Sequence, residues 1–500
     1  MNRQTALTPT VAVLCLVLTA GGLFHVAASD SGTSAEVAQV MDEAQKAPTL
    51  ESNLRRLTDE IGGRVPGTLA MREAVEWAMV ALKAAGADAV HKEAFSIPVG
   101  WSEGATRMDV VAPTRYRVRA VSMAWAPALA QVHSVPVVDV GEGKPGDFAR
   151  AGKVEGKILL VHTTVLKTWD DLFAEYLRAT PIIAAAAKSK ARAIAFMATR
   201  EHDILYRHTN TGTGKLEQLP MVLVAREDGE RMARLLASGK KVYADLAIPN
   251  HIAGPVLTAN VVAELRGSEK PDEYVVLGAH LDSWELGTGA LDNGCNAALV
   301  IEALRAIKAS GVRPKRSIRF ILFSGEEQGL LGSRAYVAAH LKEMDKVQAV
   351  VIFDSGTGKV TGYTLGGRKD IVEAARAIVA PLKAMDAATL TTDGQLGTDH
   401  VDFLLQGVPT MAANQEEANY LVNYHATSDT YDKVDMAQLK KHVVEAAAVS
   451  VALANSPERL GRRLQRSEIE QTLHETGLDE QMKLFGMWED WASGKRGRTP

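Results

Sequence analysis

The feature that most constrains the fold is a short apolar run at residues 275–277, which lacks any alternation of apolar and polar side chains. Such a run is typical of a strand that is buried on both faces, as in a parallel sheet. His280 and Asp282 follow it, and a glycine-rich loop then leads to Asp292 at the start of a helical pattern. In open α/β sheets, ligands bind at the carboxyl ends of the strands. The segment therefore predicts an α/β sheet with a functional site at its edge.

Strand and helix patterns alternate along the rest of this region. Alternating units of this kind indicate a mixed, mostly parallel sheet flanked by helices, so the predicted fold class is α/β. The predicted strands are residues 275–277, 318–323, 349–353 and 409–413. The predicted helices are residues 296–309, 330–340, 370–385 and 436–455.

Acidic and imidazole side chains follow several of these strands. Glu326 and Glu327 follow the second strand, Asp354 follows the third, and His425 lies in a polar loop after the fourth. Zn²⁺ binds histidine nitrogen and carboxylate oxygen. A two-metal hydrolytic site needs about five such ligands, with one carboxylate shared by both ions. The order and position of these residues therefore favour a pair of metal ions at the edge of the sheet.

The ligand set that fits this chemistry best has Asp292 bridging two Zn²⁺ ions. One ion would be bound by His280 and Asp354, and the other by Glu327 and His425. No further cofactor is predicted.

Two neighbouring acids are predicted to support catalysis rather than to bind metal. The Asp282 carboxylate would accept a hydrogen bond from the far ring nitrogen of His280 and so fix its tautomer. Glu326 would be the general base that takes a proton from the attacking water and passes it to the leaving amine.

Each of these residues also has an ordinary structural interpretation. A histidine and an aspartate after a strand occur often by chance, and adjacent glutamates are usually a solvated turn. Asp354 could be a helix N-cap, and His425 could form a surface pair with Tyr424. All of them fall at strand ends in one α/β region, and this joint placement favours the metal site.

These motifs resemble the two-zinc exopeptidase family of the glutamate carboxypeptidase and carboxypeptidase Q type. The similarity covers about residues 54–455, and it is carried by the segments 280–283, 289–294, 325–333 and 397–399, by Asp354, and by His425 in its Tyr-His-Ala-Thr-Ser-Asp-Thr setting. The resemblance implies the same ligands and base, a phosphorylase/hydrolase-like sheet, and a cis peptide after Asp292. It also implies that Tyr424 stabilises the oxyanion and that a homodimer forms.

The resemblance and the composition together predict five segments. Residues 1–29 would be a signal peptide, and residues 30–126 the N-terminal part of the peptidase domain. Residues 127–255 would be an inserted β-rich, protease-associated-like domain, residues 256–456 the catalytic core, and residues 457–500 a helical, basic tail. We expect the Lys495 to Arg498 cluster in that tail to be solvated and disordered.

The first thirty residues are typical of an export signal. Residues 11–18 are continuously apolar, and small residues around Ala28 offer a cleavage site. An uncleaved membrane anchor is the alternative, although Gly21, Gly22 and His25 weaken it. We therefore expect an exported protein, periplasmic or extracellular, with no stable membrane span after cleavage.

Composition narrows the remaining function classes. Only two cysteines are present, Cys15 and Cys295, which excludes a disulfide framework. The net charge of −4 gives no indication of nucleic acid as a partner.

The predicted activity is a secreted dizinc exopeptidase that hydrolyses dipeptides or short peptides. As an aminopeptidase, carboxypeptidase or dipeptidase, it would have a peptide as its partner. The alternatives are a single-zinc glutaminyl cyclase-like enzyme and a non-catalytic receptor-like homologue. The sequence leaves open which end of a peptide is recognised.

Overall fold

A computed structural model describes residues 28–208 and 212–499 of the chain. The predicted export signal lies outside the described residues, except for its last two positions. Among the described residues, no helix combines the length and the hydropathy needed to cross a membrane.

The strands, in chain order, are β1 (Ala89–Ile97), β2 (Gly100–Ser102), β3 (Arg107–Ala112), β4 (Tyr116–Val118), β5 (Ala120–Ser122), β6 (Leu129–Asp139), β7 (Ile158–Val161), β8 (Ala193–Met197), β9 (Met221–Val224), β10 (Tyr243–Ile248), β11 (His251–Ala253), β12 (Val256–Leu265), β13 (Lys270–His280), β14 (Arg316–Phe323), β15 (Val347–Ile352), β16 (Val360–Thr364), β17 (Thr389–Thr391) and β18 (Thr410–Gln415).

The α-helices are α1 (Ala28–Ala44), α2 (Leu50–Arg55), α3 (Leu69–Ala84), α4 (Pro145–Ala151), α5 (Trp169–Lys188), α6 (Arg226–Ala237), α7 (Cys295–Ser310), α8 (Leu331–Ala339), α9 (Val372–Val379), α10 (His400–Leu404), α11 (Tyr420–Asn423), α12 (Met436–Asn455), α13 (Arg466–Thr476), α14 (Leu478–Leu484) and α15 (Trp488–Ala492).

The first sheet has eight strands in the order β1-β12-β14-β13-β15-β18-β16-β17. Its four central strands, β14, β13, β15 and β18, are parallel to one another. These are the four strands that the apolar runs predict, and the mixed α/β fold is confirmed. Both faces of the sheet are covered: Val275 and Leu277 pack into the core on one face, whereas Val276 packs into the core on the other. This burial explains why the run shows no polar alternation.

The second sheet also has eight strands, in the order β4-β3-β10-β6-β7-β8-β9-β5. Strands β6 to β9 are parallel, and apolar cores that include α5 and α6 residues cover its two faces. We call residues 107–248 the second unit. It is a mixed α/β structure, whereas the sequence predicted a β-rich one. The difference arises because the 20-residue helix α5 was not predicted.

The limits of the second unit differ from the predicted insert at residues 127–255. Strands β3, β4 and β5 were expected in the N-terminal part of the peptidase domain, but they pair within the second sheet. The chain enters and leaves the second unit through a ribbon in which β2 pairs with β11. The paired ribbon brings the two crossings side by side.

The segment after α12 is packed against the first sheet region, which corrects the expectation of a solvated Lys495 to Arg498 cluster. Its apolar side chains form a core with residues of α10. The Arg496 guanidinium is buried and donates to both carboxylate oxygens of Asp402, at 2.8 and 2.6 Å. A charged side chain that pairs inside the protein carries the same sequence signature as one that is solvated.

Candidate metal centre

The five predicted ligands lie together at the carboxyl edge of the central strands of the first sheet. His280 is the last residue of β13, and Asp354 follows β15 by two positions. Glu327 lies in the turn after β14, and His425 lies in the loop after α11. Asp292 lies in the turn that precedes α7. Parallel strands end at the same edge, so this topology collects residues that are far apart in sequence.

Their side chains form two overlapping groups of three. The His280 Nε2 atom lies 3.2 Å from one carboxylate oxygen of Asp292 and 3.0 Å from Asp354 Oδ1. The His425 Nε2 atom lies 3.2 Å from the other Asp292 oxygen and 2.8 Å from Glu327 Oε2. The donor atoms of each group all lie within 4.8 Å of one another. Asp292 thus presents one oxygen to each group.

The chemistry of these donors fits two divalent cations. Three carboxylates and two imidazoles lie together with little exposure, at most the 9% of Asp354, and burial of a carboxylate without a compensating charge is costly. Burial raises the pKa of Glu327 to about 7. Glu327 Oε1 is buried and has no hydrogen-bond partner within the described part of the chain. A cation bound between these oxygens would supply the missing partner.

Asp282 lies beside His280, but its carboxylate does not make the predicted close contact. The His280 Nδ1 atom lies 3.0 Å from the main-chain oxygen of Asp282 and 3.7 Å from its carboxylate. The carboxylate instead accepts the main-chain N–H groups of Glu326 and Glu327, at 3.3 and 3.4 Å. Because the main-chain oxygen can accept the Nδ1 proton, Nε2 is still the nitrogen that faces the metal group. Asp282 therefore also orients the turn that carries the two glutamates.

The turn around Asp292 is held by residues that sequence reasoning missed. The Asp429 carboxylate accepts the main-chain N–H groups of residues 290, 291 and 292, at 3.1, 2.7 and 3.2 Å. The buried Arg64 guanidinium donates to the main-chain oxygens of Leu281 and Gly289, at 2.7 and 2.9 Å. The Asp292–Asn293 peptide is cis, as the resemblance implied. Asp429 belongs to a quoted motif, but Arg64 lies in a glycine-rich turn whose spacing gave no signal.

Glu326 lies next to both groups and belongs to neither. Its carboxylate is 4.0 Å from His280 Nε2. Burial raises the pKa of Glu326 well above its usual range. A carboxyl group with a raised pKa at the wall of a cleft can accept and return a proton near neutral pH.

Tyr424 contacts the predicted ligand His425 on one side and the second unit on the other. Its ring stacks on His425, with 3.6 Å between centroids. Its hydroxyl lies 3.3 Å from the hydroxyl of Tyr176, which belongs to α5. Burial raises the pKa of Tyr424 well above 10, so the hydroxyl keeps its proton.

A cavity of about 510 Å³ opens onto the two groups of predicted metal ligands. The first sheet forms its floor, and two other parts of the chain form its walls. Helix α5 contributes Trp169, Phe173 and Tyr176, and the C-terminal segment contributes Phe485 and Met487. Neither wall was predicted from the sequence, because apolar side chains on helices read as ordinary core.

Comparison with known proteins agrees with this geometry. Residues 260–450 match the model of peptidase family M28. Carboxypeptidase Q of Mus musculus is 27% identical over 415 residues, which cover 81% of this chain and 86% of that protein. Aminopeptidase YwaD of Bacillus subtilis is 27% identical over 443 residues, covering 85% and 89% respectively.

Solved structures share the fold. A peptidase M28 precursor from Shewanella amazonensis superposes with a TM-score of 0.78 at 25% identity, over 87% of this chain and all of that one. A zinc aminopeptidase from Bacillus subtilis has a TM-score of 0.64 at 21% identity, over 84% and 98%. The sequence and structural matches agree with the donor set at the edge of the first sheet. The chain is therefore similar to peptidase family M28 over residues 260–450 and to carboxypeptidase Q over most of its length, and it is a zinc metallopeptidase of the exopeptidase type.

Proposed function

We propose that this chain is an exported exopeptidase that uses two zinc ions together to hydrolyse dipeptides or other short peptides. The observation that carries the proposal is the position of Asp292, whose two oxygens each lie 3.2 Å from a different histidine. Asp292 would hold both ions. His280 and Asp354 would help to hold one of them, and Glu327 and His425 the other.

Zinc bound in these sites would supply Lewis acidity at the scissile carbonyl and would make the attacking water easier to deprotonate. The residues of the chain then divide the proton and charge transfers among them. Glu326 accepts the proton of the attacking water and returns it to the leaving amine. Tyr424 donates its hydroxyl proton in a hydrogen bond to the oxygen that becomes negative as the carbonyl is attacked.

The two walls of the cavity are evidence for a short peptide as the substrate. Trp169 and Phe173 come from the second unit, and Phe485 and Met487 come from the C-terminal segment, so the cleft is enclosed on two sides. Apolar walls with a few polar groups at the base are typical of small-ligand sites. A peptide would therefore place its scissile bond at the metal groups and its apolar side chains against these walls.

The architecture and location are part of the same proposal. We propose that the second unit is the protease-associated-like domain, with its limits moved to residues 107–248. Export rests on the apolar segment at residues 11–18, and a homodimer rests on the resemblance alone. Sequencing the N-terminus of the mature protein and measuring its mass in solution test these two points.

The test of the activity combines metal content with a substrate panel. Purified protein should contain two zinc ions per chain and should cleave unmodified dipeptides. N-blocked and C-amidated peptides would then identify the recognised end. One zinc per chain would instead support a cyclase-like enzyme, and none would support a receptor-like homologue.

A further inference from the structure

A short segment of the second unit lies against the loop that carries His425. Tyr206 and Ala426 form an antiparallel bridge. The main-chain N–H of Arg207 donates to the oxygen of His425 at 3.0 Å, and that of Thr427 donates to the oxygen of Leu205 at 2.8 Å. The second unit therefore forms main-chain hydrogen bonds with the predicted ligand His425 itself and with the residue two positions after it.

The same segment also determines the orientation of the His425 ring. The His425 Nδ1 atom lies 2.8 Å from the main-chain oxygen of Arg207. A carbonyl oxygen only accepts hydrogen bonds, so Nδ1 must be the protonated nitrogen. The lone pair of Nε2 is then directed at the group formed with Asp292 and Glu327. Histidine ligands of metals generally depend on such a partner for their tautomer and orientation.

The side chain of Arg207 fixes the position of this carbonyl. Its guanidinium is fully buried and lies 2.5 Å from Glu103 and 2.8 Å from Glu285. It also donates to the main-chain oxygen of Ser122. Glu285 follows β13 and belongs to the loop after His280, whereas Ser122 is the last residue of β5 in the second sheet. One guanidinium thus connects the second unit to the loop beside the first metal group.

Aromatic rings close the space around this ion pair. The guanidinium lies 5.1 Å from the ring centre of Trp101, which stacks on Trp125 at 5.5 Å. Trp284 lies edge-on to Trp125 at 6.1 Å and to the His425 ring at 5.9 Å. In this apolar setting, removal of the guanidinium leaves the carboxylates of Glu103 and Glu285 without a cation, and Glu103 keeps only the main-chain N–H of Ser122. The uncompensated charge favours displacement of the segment.

We infer that Arg207 is a positioning residue of the zinc centre, through which the second unit sets the affinity of the site formed by Glu327 and His425. This inference rests on the proposed two-zinc function. It predicts that loss of the Arg207 side chain weakens one zinc site selectively, although that side chain touches neither a ligand nor the substrate cavity.

The test is a zinc titration of the metal-free Arg207→Met protein, with a chromophoric chelator as the competitor. Loss of an outer partner of a metal ligand typically lowers metal affinity by about 10- to 100-fold. We expect one of the two zinc affinities, that of the site formed by Glu327 and His425, to fall by at least about tenfold, while the other site keeps its wild-type affinity. Circular dichroism of the metal-free proteins checks that the fold is retained.

The chain offers a matched control in Arg316. This guanidinium is also buried and lies 2.6 Å from Glu273, but it lies at the opposite end of β14 from the metal centre. Arg316→Met should leave both zinc affinities unchanged. A milder pair, Glu285→Gln with Glu273→Gln as its control, weakens the same two ion pairs without removing a guanidinium. We expect Glu285→Gln to lower the same zinc affinity as Arg207→Met does, by a smaller factor.

Unchanged zinc affinities in Arg207→Met would overturn the inference. If Arg207→Met does not fold, unchanged affinities in Glu285→Gln overturn it instead. Equal weakening of both sites, or an equal effect of Arg316→Met, would show a general loss of stability and would also overturn it. A wild-type protein with fewer than two zinc sites would contradict the proposed function itself, which the wild-type titration measures separately.

Discussion

The two halves of the metal centre are held in different ways. His280 and Asp354 lie at or just beyond the ends of β13 and β15, which are neighbouring parallel strands. His425 lies in a loop with a left-handed backbone, φ 59°, and the second unit supplies the acceptor for its ring. The half formed by His280 and Asp354 therefore takes its geometry from the sheet itself, and we call it the strand-held half. The half formed by Glu327 and His425 depends on a contact between distant parts of the chain, and we call it the loop-held half.

This difference shows where precision in such a site originates. A strand end inside a sheet is fixed by its neighbours on both sides, so its side chain needs little further support. A loop has no such ladder, and its backbone groups need partners elsewhere. The loop-held half should therefore be the half in which metal affinity can change without any change to a ligand.

The largest expected effect is a loss of kcat in Glu326→Gln that leaves the zinc content of both halves unchanged. Glu326→Gln should lower kcat by about 10²- to 10⁴-fold, because general acid–base catalysis is typically of that size. Both zinc ions should remain, since Glu326 belongs to neither group of donors. Kinetics and elemental analysis of the same sample measure both quantities. Glu373→Gln, at a side chain that is 84% exposed, is the control, and near-normal turnover of Glu326→Gln would exclude it as the base.

The next prediction compares the halves directly. Asp354→Asn should remove the ion of the strand-held half, and Glu327→Gln should remove the ion of the loop-held half. Each variant should therefore contain about one zinc per chain, because the other ion keeps all three of its proposed ligands, the shared Asp292 among them. Elemental analysis measures the content, and a cobalt spectrum of each variant distinguishes which site is filled. If either variant lost both ions, the two halves would be a single cooperative site and the comparison would not hold.

The smallest expected effect is on thermal stability, and it comes from Glu445, which lies on the helix packed against the strands of the strand-held half. Glu445 is buried on α12, which packs against β13 and β15. Burial raises its pKa from 4.5 to about 8. The folded protein therefore binds this proton more tightly than the unfolded chain, so its contribution to stability falls as pH rises from about 4.5 to about 8.

Glu445→Gln should accordingly raise the melting temperature at pH 8, by at least about 2 °C. The difference from the wild type should shrink toward zero as the pH approaches 4.5, since both side chains are then neutral. Melting curves across this pH range measure it, and both zinc ions should be retained. A variant that melts lower than the wild type at pH 8 would contradict the prediction.

The strand-held half was predictable from the sequence, and the loop-held half only in part. The apolar runs at residues 275–277 and 349–353 predict the strands, which are confirmed. The chemistry of His280 and Asp354 predicts that they bind metal, and the structure brings them together. His425 was predicted as a ligand, but its support by Arg207 was not, because the support comes from a main-chain oxygen that every residue possesses. Sequence patterns report side-chain chemistry and periodicity, and they carry no information about which carbonyl lies beside which ring.

The same limit explains the other differences. Strands β3 to β5 read as part of the N-terminal region because a strand pattern does not name its partner sheet. Arg496 reads as a solvated cation because the sequence does not show that Asp402 lies opposite it. Asp282 was predicted to act through its carboxylate, but its main-chain oxygen lies closer to the His280 ring, and sequence patterns carry no information on that distance.

The cleft wall formed by the C-terminal segment is synthesised after the residues that form the floor of the cleft. The ribosome makes every proposed metal ligand by the time it reaches His425, but Phe485 and Met487 are made sixty or more residues later. A nascent chain therefore holds its full complement of ligands while one side of the cleft is still open to water. Enclosure of a peptide on both sides therefore waits until helices α13 to α15 have docked, after the last proposed ligand has been made.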